Sequence, residues 1–200
     1  MTRLPFFLGL GLLAPALTGC LTATPPARLY VLDPLEVVSP APRLDQRLAL
    51  GIGATQVPEY LDRPELVVRA GSNEVSAVES DRWAERLPVT LSRVLTENLS
   101  RLLGVEAQLL QSGRAVGHLD YEIYLDITRF EIAPDGSAAL GGRWIIIDAT
   151  SRAEVASARL SRQEKGSGPG FPAAVASMNR AISAVSQEIA ARLRTLPARG

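Results

Sequence analysis

From Leu119 to Thr128 the chain alternates without interruption: Leu119, Tyr121, Ile123, Leu125 and Ile127 take one parity, and Asp120, Glu122, Tyr124, Asp126 and Thr128 the other. A strand turns successive side chains to opposite faces, so this stretch predicts a sheet with one buried and one wet face. The rest of the fold must supply neighbours for this strand and a cover for its apolar side. Phe130 breaks the parity, which predicts a bulge or the strand's end, and Asp135-Gly136 supplies a turn. Leu140 to Ala149, with Trp144, Ile145, Ile146 and Ile147, predicts a central strand apolar on both faces. Glu154 to Gln163 completes an antiparallel meander.

Two helical stripes provide the cover. Phe171, Val175, Met178, Ile182, Val185, Ile189 and Leu193 recur at steps of four and three, the spacing of one helix face. The glycine-rich run Gly166–Gly170 before them is a linker, because no Lys-Ser/Thr follows it as a phosphate loop requires. An earlier helix runs from near Pro88 to Leu103, with Leu91, Val94, Leu95, Asn98 and Leu102 on its inner stripe. Proline is tolerated in its first turn, and Gly104 is its stop.

Upstream, Arg28–Leu32 reads as a first strand ended by Asp33-Pro34, and residues 34–46 as a loop. Arg47–Thr55 is a second strand, with Gly51 and Gly53 on one face where a neighbour packs closely. Glu65–Arg69 and Glu74–Glu79 form a hairpin about Gly71-Ser72-Asn73; Asp81–Glu85 bridges to the helix, and Val105–Gln111 is a short strand. The sum is an α+β domain, a single mostly antiparallel sheet with two main helices packed on it.

Ahead of the domain stands Leu17-Thr18-Gly19-Cys20, which contains the only cysteine and closes an apolar run that follows Met1-Thr2-Arg3. A basic start, an apolar middle and small residues before a cut make a secretory signal. The run is shorter than the ~20 residues a membrane helix needs, and Pro5 and Pro15 interrupt it. Its ending resembles the bacterial lipoprotein signal. There the cysteine sulfur takes a diacylglyceryl group, the leader is cut, and the new amine is acylated. Only a nucleophilic sulfur makes that thioether, and Gly19 gives the protease access to the backbone. Two or more chains anchor stably, at about 0.8 kcal/mol per buried methylene. The expected division is a signal peptide over 1–19, a lipid-anchored tether over 20–27 and one domain over 28–196. Covalent diacylglyceryl and N-acyl lipid on Cys20 are the only non-protein groups expected, with no cofactor and no metal. Leu21 stands where an aspartate would retain an enterobacterial lipoprotein in the inner membrane, so the reading leans to a periplasm-facing anchor in the outer membrane.

Basic and acidic residues number 21 each, interspersed, which leaves no footprint for nucleic acid. Nor does a catalytic constellation emerge. His118 is the only histidine, acylation would consume the only thiol, and no serine sits in a Gly-x-Ser-x-Gly elbow. Asp120, Glu122 and Asp126 share the expected wet face, where solvated carboxylates are commonplace. The expectation is a protein that is not an enzyme.

One segment is more specified than a loop requires. In Tyr60–Arg86, Arg63 and Arg69 have Asp62, Glu65, Glu74 and Asp81 as available partners, and Trp83 can anchor the core. Pairing that pins the hairpin to the first helix is one reading. The other is partner docking by Tyr60, Arg63, Arg69 and Trp83, residue types that anchor interfaces.

Taken in order, the lipobox, Arg28-Leu-Tyr-Val-Leu32, Tyr60-Leu-Asp-Arg-Pro-Glu-Leu-Val-Val-Arg69, Arg82-Trp-Ala-Glu85 and Val94-Leu-Thr-Glu-Asn-Leu-Ser-Arg-Leu-Leu-Gly104 resemble the ABC-type transport auxiliary lipoproteins, the PqiC (YmbA) group. That resemblance implies a non-catalytic lipoprotein of the cell envelope, with an α+β domain. Its implied partners are an MCE-domain protein of an intermembrane lipid conduit and ABC transporter components. A conduit end needs a collar, so a homo-oligomer fits the same reading. The alternative is a carrier lipoprotein that itself binds lipid or another hydrophobic ligand.

Overall fold

A computed structural model of the 200-residue chain describes residues 26–36, 48–110 and 117–197. The leader, Cys20 and most of the tether lie outside the described residues, as do Arg47 and Gln111 at the ends of two expected strands. The elements in order are β1 (Arg28–Tyr30), β2 (Leu50–Ile52), β3 (Glu65–Arg69), β4 (Val75–Trp83), α1 (Leu87–Leu103), β5 (Ala107–Leu109), β6 (Tyr121–Ile132), β7 (Ala138–Asp148), β8 (Glu154–Glu164) and α2 (Phe171–Leu193).

All eight strands join one mixed sheet. The long ladders, β6–β7 and β7–β8, are antiparallel, as is the β3–β4 hairpin. Short strands are added in parallel: β2 on β6, β5 on β2 and β1 on β4. The sheet branches at β6. Its first residues pair with β2, Leu50 opposite Tyr121, and its last with β3, Val68 opposite Ile132.

Both helices lie on one face of the sheet. On that side Tyr121, Ile123, Leu125 and Ile127 of β6 and Trp144 and Ile146 of β7 are buried together with Leu91, Val94, Leu95 and Leu99 of α1 and Val175, Met178, Ile182, Val185 and Ile189 of α2. Each such side chain contributes about 1.5–3 kcal/mol on leaving water. Gly104 ends α1 at φ 67°, its N–H on the Ser100 carbonyl, which is the left-handed stop its position predicts. Between the helices the amide of Asn98 donates to the Ser186 hydroxyl at 2.9 Å, and its carbonyl accepts the Leu35 N–H at 2.8 Å. The segment after β1 is thereby fastened to the helix layer.

The sequence reading needs two corrections and one refinement. The stretch from Asp81 to Trp83 is strand rather than bridge, because it pairs with β1 from Arg28–Asp81 to Tyr30–Trp83. β7 is the central strand expected, apolar on both faces, but only one face is buried: Trp144 and Ile146 are covered, while Ile145 and Ile147 on the other side are half-exposed. Asp120 precedes β6 and is buried rather than wet, its carboxylate accepting the Ala49 N–H at 2.7 Å.

The parity break at Phe130 is a bulge, where the register shifts between Ile127 and Arg129 opposite Gly142 and Gly141. Gly142 holds φ 152°, and a Cβ there would lie 2.2 Å from the Asp126 carbonyl oxygen. A Cβ on Gly141 would meet only ordinary contacts, from 3.5 Å. Gly142→Ala is therefore expected to destabilise the domain by about 2–4 kcal/mol in urea unfolding, through overpacking and backbone strain, with Gly141→Ala close to wild type.

Candidate functional site

The residues from Val57 to Trp83 build one corner of the molecule. Proline before a short 3-10 turn, Glu59–Leu61, fixes the entry, and the turn closes through Leu61 N–H on the Pro58 carbonyl at 2.9 Å. Leu61 is buried and seats the turn. Two buried carboxylates then hold the corner together.

The first is Glu131, on the uncovered face of β6, whose side chain has no exposed surface. Arg69 donates to it from Nε at 2.8 Å and Nη2 at 2.5 Å, Tyr60 from its hydroxyl at 2.7 Å, and Arg129 from Nε at 3.0 Å. Burial alone would push the Glu131 carboxyl up. Arg69, Tyr60 and Arg129 outweigh burial and hold it below the ordinary glutamate value. Burial, reinforced by the bond to Glu131, pushes the Tyr60 phenol up to about 12.

The second is Asp81, also with no exposed side-chain surface. Arg28 Nη2 donates to it at 2.9 Å, Tyr30 at 2.8 Å and Ser80 at 2.6 Å. Here too burial raises the carboxyl, and Arg28, Ser80 and Tyr30 bring it below the ordinary aspartate value. This pair ties β1 to β4.

Of the four residues singled out for docking, Tyr60 and Arg69 meet at Glu131. Trp83 is buried, with its backbone N–H on the Pro64 carbonyl at 2.7 Å. Arg63 stands apart, its side chain 44% exposed and paired with Glu65 at 3.0 Å. Arg86, which pairs with Asp62, is more exposed still. Beside that pair an open groove of about 320 Å³ is lined by Val57, Pro88, Val89 and Leu109. Val89 and Leu109 are 46% and 40% exposed, so the groove presents apolar surface, and Asp62 and Arg86 put charge on its rim. Sequence reasoning missed Glu131. Its signal was the parity break, since a bulge at Thr128 turns Arg129 and Glu131 to the uncovered face. His118 is exposed and lies 3.4 Å from Asp120.

A family model for the ABC-type transport auxiliary lipoprotein component matches residues 30–190. The chain belongs to that family. This auxiliary lipoprotein family is a transport component rather than a catalytic one, so its members are transport-associated lipoproteins anchored in the cell envelope. No curated protein matches this chain significantly in sequence. Among solved structures, an uncharacterised protein is 18% identical, with a TM-score of 0.70 over 84% of this chain and 99% of its own. The protein XCC0632 from Xanthomonas campestris is 19% identical, with a TM-score of 0.65 over 81% of this chain and 92% of its own. Both share the fold. Among the described residues, no helix of this auxiliary lipoprotein is long and apolar enough to cross a membrane.

The two shifted groups at Glu131 set opposite pH arms. The lowered Glu131 carboxyl contributes stability that is complete above the ordinary glutamate pKa of about 4.3 and lost as pH falls through its folded value. The raised Tyr60 phenol contributes stability that is complete below about 10 and lost as pH rises towards about 12. Thermal melts across pH should show Glu131→Gln with a weaker acid arm and Tyr60→Phe with a weaker alkaline arm. At pH 7, Tyr60→Phe is expected to cost about 1.5 kcal/mol.

Proposed function

We propose that this chain is the lipid-anchored docking subunit of an intermembrane lipid-transport assembly. Cys20 carries the diacylglyceryl and N-acyl groups, and the domain faces the periplasm from the outer membrane. Its partner is an MCE-domain protein served by an ABC transporter. The observation that carries the proposal is the family match, which spans nearly the whole described domain. Supporting it is the corner from Val57 to Arg86. Its internal ion pairs hold the loop in one conformation, and a preorganised surface loses less entropy on binding. Tyr60 and Arg69 position that corner, Trp83 backs it, and Arg63, Arg86, Val89 and Leu109 face the partner. An apolar groove with a charged rim is the usual anatomy of a docking site. No catalytic step is assigned.

Photocrosslinkers placed at Arg63 and Val89 in cells test the proposal. Capture of an MCE-domain protein from both positions, reduced by Cys20→Ala and by Leu109→Glu without a fall in Tm, is the expected result. Capture of lipid alone, or of the same species from a crosslinker on exposed Arg192, would overturn it.

A further inference from the structure

The two helices leave the opposite face of the sheet uncovered, and register places its side chains in rows across β6, β7 and β8. One row is Asp126, Arg143 and Arg159; the next is Tyr124, Ile145 and Ser157. Arg143 and Arg159 therefore stand directly opposite one another on an open surface. Like charges so placed, with Cβ atoms about 5 Å apart, destabilise a sheet. Their neighbours do little to cancel this. Asp126 lies 3.8 Å from Arg143 Nε, both side chains more than half exposed, and among the described residues no carboxylate pairs with Arg159. The other arginines of this face are committed, Arg152 to Glu122 at 2.6 Å and Arg69 and Arg129 to Glu131.

Beside Arg143, which stands opposite Arg159, lies an open groove of about 380 Å³, lined by Gly53, Gln56, Tyr124, Asp126, Arg143 and Ile145 among others. Its floor is built. The Tyr124 ring lies where a Cβ on Gly53 would be, 2.4 Å from it, and the Tyr124 hydroxyl is held on Glu122 at 2.6 Å. Half-exposed Ile145 continues the apolar floor. A bare anion would satisfy the arginines and leave this floor wet, and an apolar chain alone would leave Arg159 uncompensated and Arg143 with only its long contact to Asp126.

We infer that this face binds a single anionic phospholipid, its phosphate between Arg143 and Arg159 and the start of its acyl chain over Tyr124 and Ile145. Guanidinium groups suit phosphate because they present paired donors in a plane. The site needs neither Cys20 nor a partner protein, so it stands or falls separately from the docking role.

The test titrates the complete mature chain carrying Cys20→Ser with monomeric dihexanoyl phosphatidylglycerol, followed by tyrosine fluorescence and calorimetry. Dihexanoyl phosphatidylcholine and inorganic phosphate serve as comparison probes. Saturable binding of the phosphatidylglycerol is expected, weakened at least about tenfold by R143Q/R159Q and also weakened by Ile145→Ser. Both comparison probes should bind more weakly, and Arg159→Gln alone should leave Tm equal or higher. Absence of saturable binding would overturn the inference, as would equal binding by the double variant. So would inorganic phosphate binding as well as the lipid, or a fall in Tm in Arg159→Gln.

Discussion

Strand β6 is the member on which the rest of the structure depends. Along one edge it pairs with β7 from Tyr121 to Ile132, broken only by the bulge at Thr128; along the other it is shared, β2 taking its first residues and β3 its last. Two sub-sheets that never touch each other by backbone hydrogen bonds, β2–β5 and β3–β4–β1, are thus aligned only through β6. Its apolar face is also the floor of the helix layer. The bulge beyond Ile127 keeps Phe130 and Ile132 on the helix side while turning Arg129 and Glu131 to the other. One extra residue therefore sets the core and the Glu131 ion cluster at once.

That cluster and its counterpart at Asp81 use expensive groups for local rigidity. Taking a carboxylate out of water costs several kcal/mol, and only good geometry with further hydrogen bonds offsets it. Both carboxylates have these: Glu131 accepts from two arginines and a tyrosine, and Asp81 from an arginine, a tyrosine and a serine. Each joins segments more than 50 residues apart, Tyr60 to Glu131 and Arg28 to Asp81. Beyond the pH-dependent stability of the Glu131 cluster, the gain is definition of position for the 3-10 turn and for edge strand β1. A surface meant to meet a partner benefits from that definition.

Much of this was legible beforehand because periodicity is a local property. The β6 alternation, the stripe of α2 and the Gly104 stop each depend on nearby residues, and each is found where the spacing puts it. The close packing expected at Gly51 and Gly53 is also found, since Leu119 and Tyr124 fill the space their missing Cβ atoms leave. What the sequence hid was non-local. Trp83 joined a strand because β1 offered a parallel edge far upstream and the Pro64 carbonyl accepted its N–H on the other side. Asp120 left the wet face because the Ala49 N–H required an acceptor. Arg69 had four nearby acidic candidates and chose none of them, since the bulge delivered Glu131 from 62 residues away.

Hydrogen exchange measured residue by residue on the native chain tests the central claim about β6 most directly. If β6 aligns both sub-sheets, amides of β6, of β2 and of β3 should share one opening free energy equal to that of global unfolding. The Gly142→Ala change should lower all three together. Opening of the β3–β4 hairpin at much lower free energy, with β6 and β2 still protected, would contradict it.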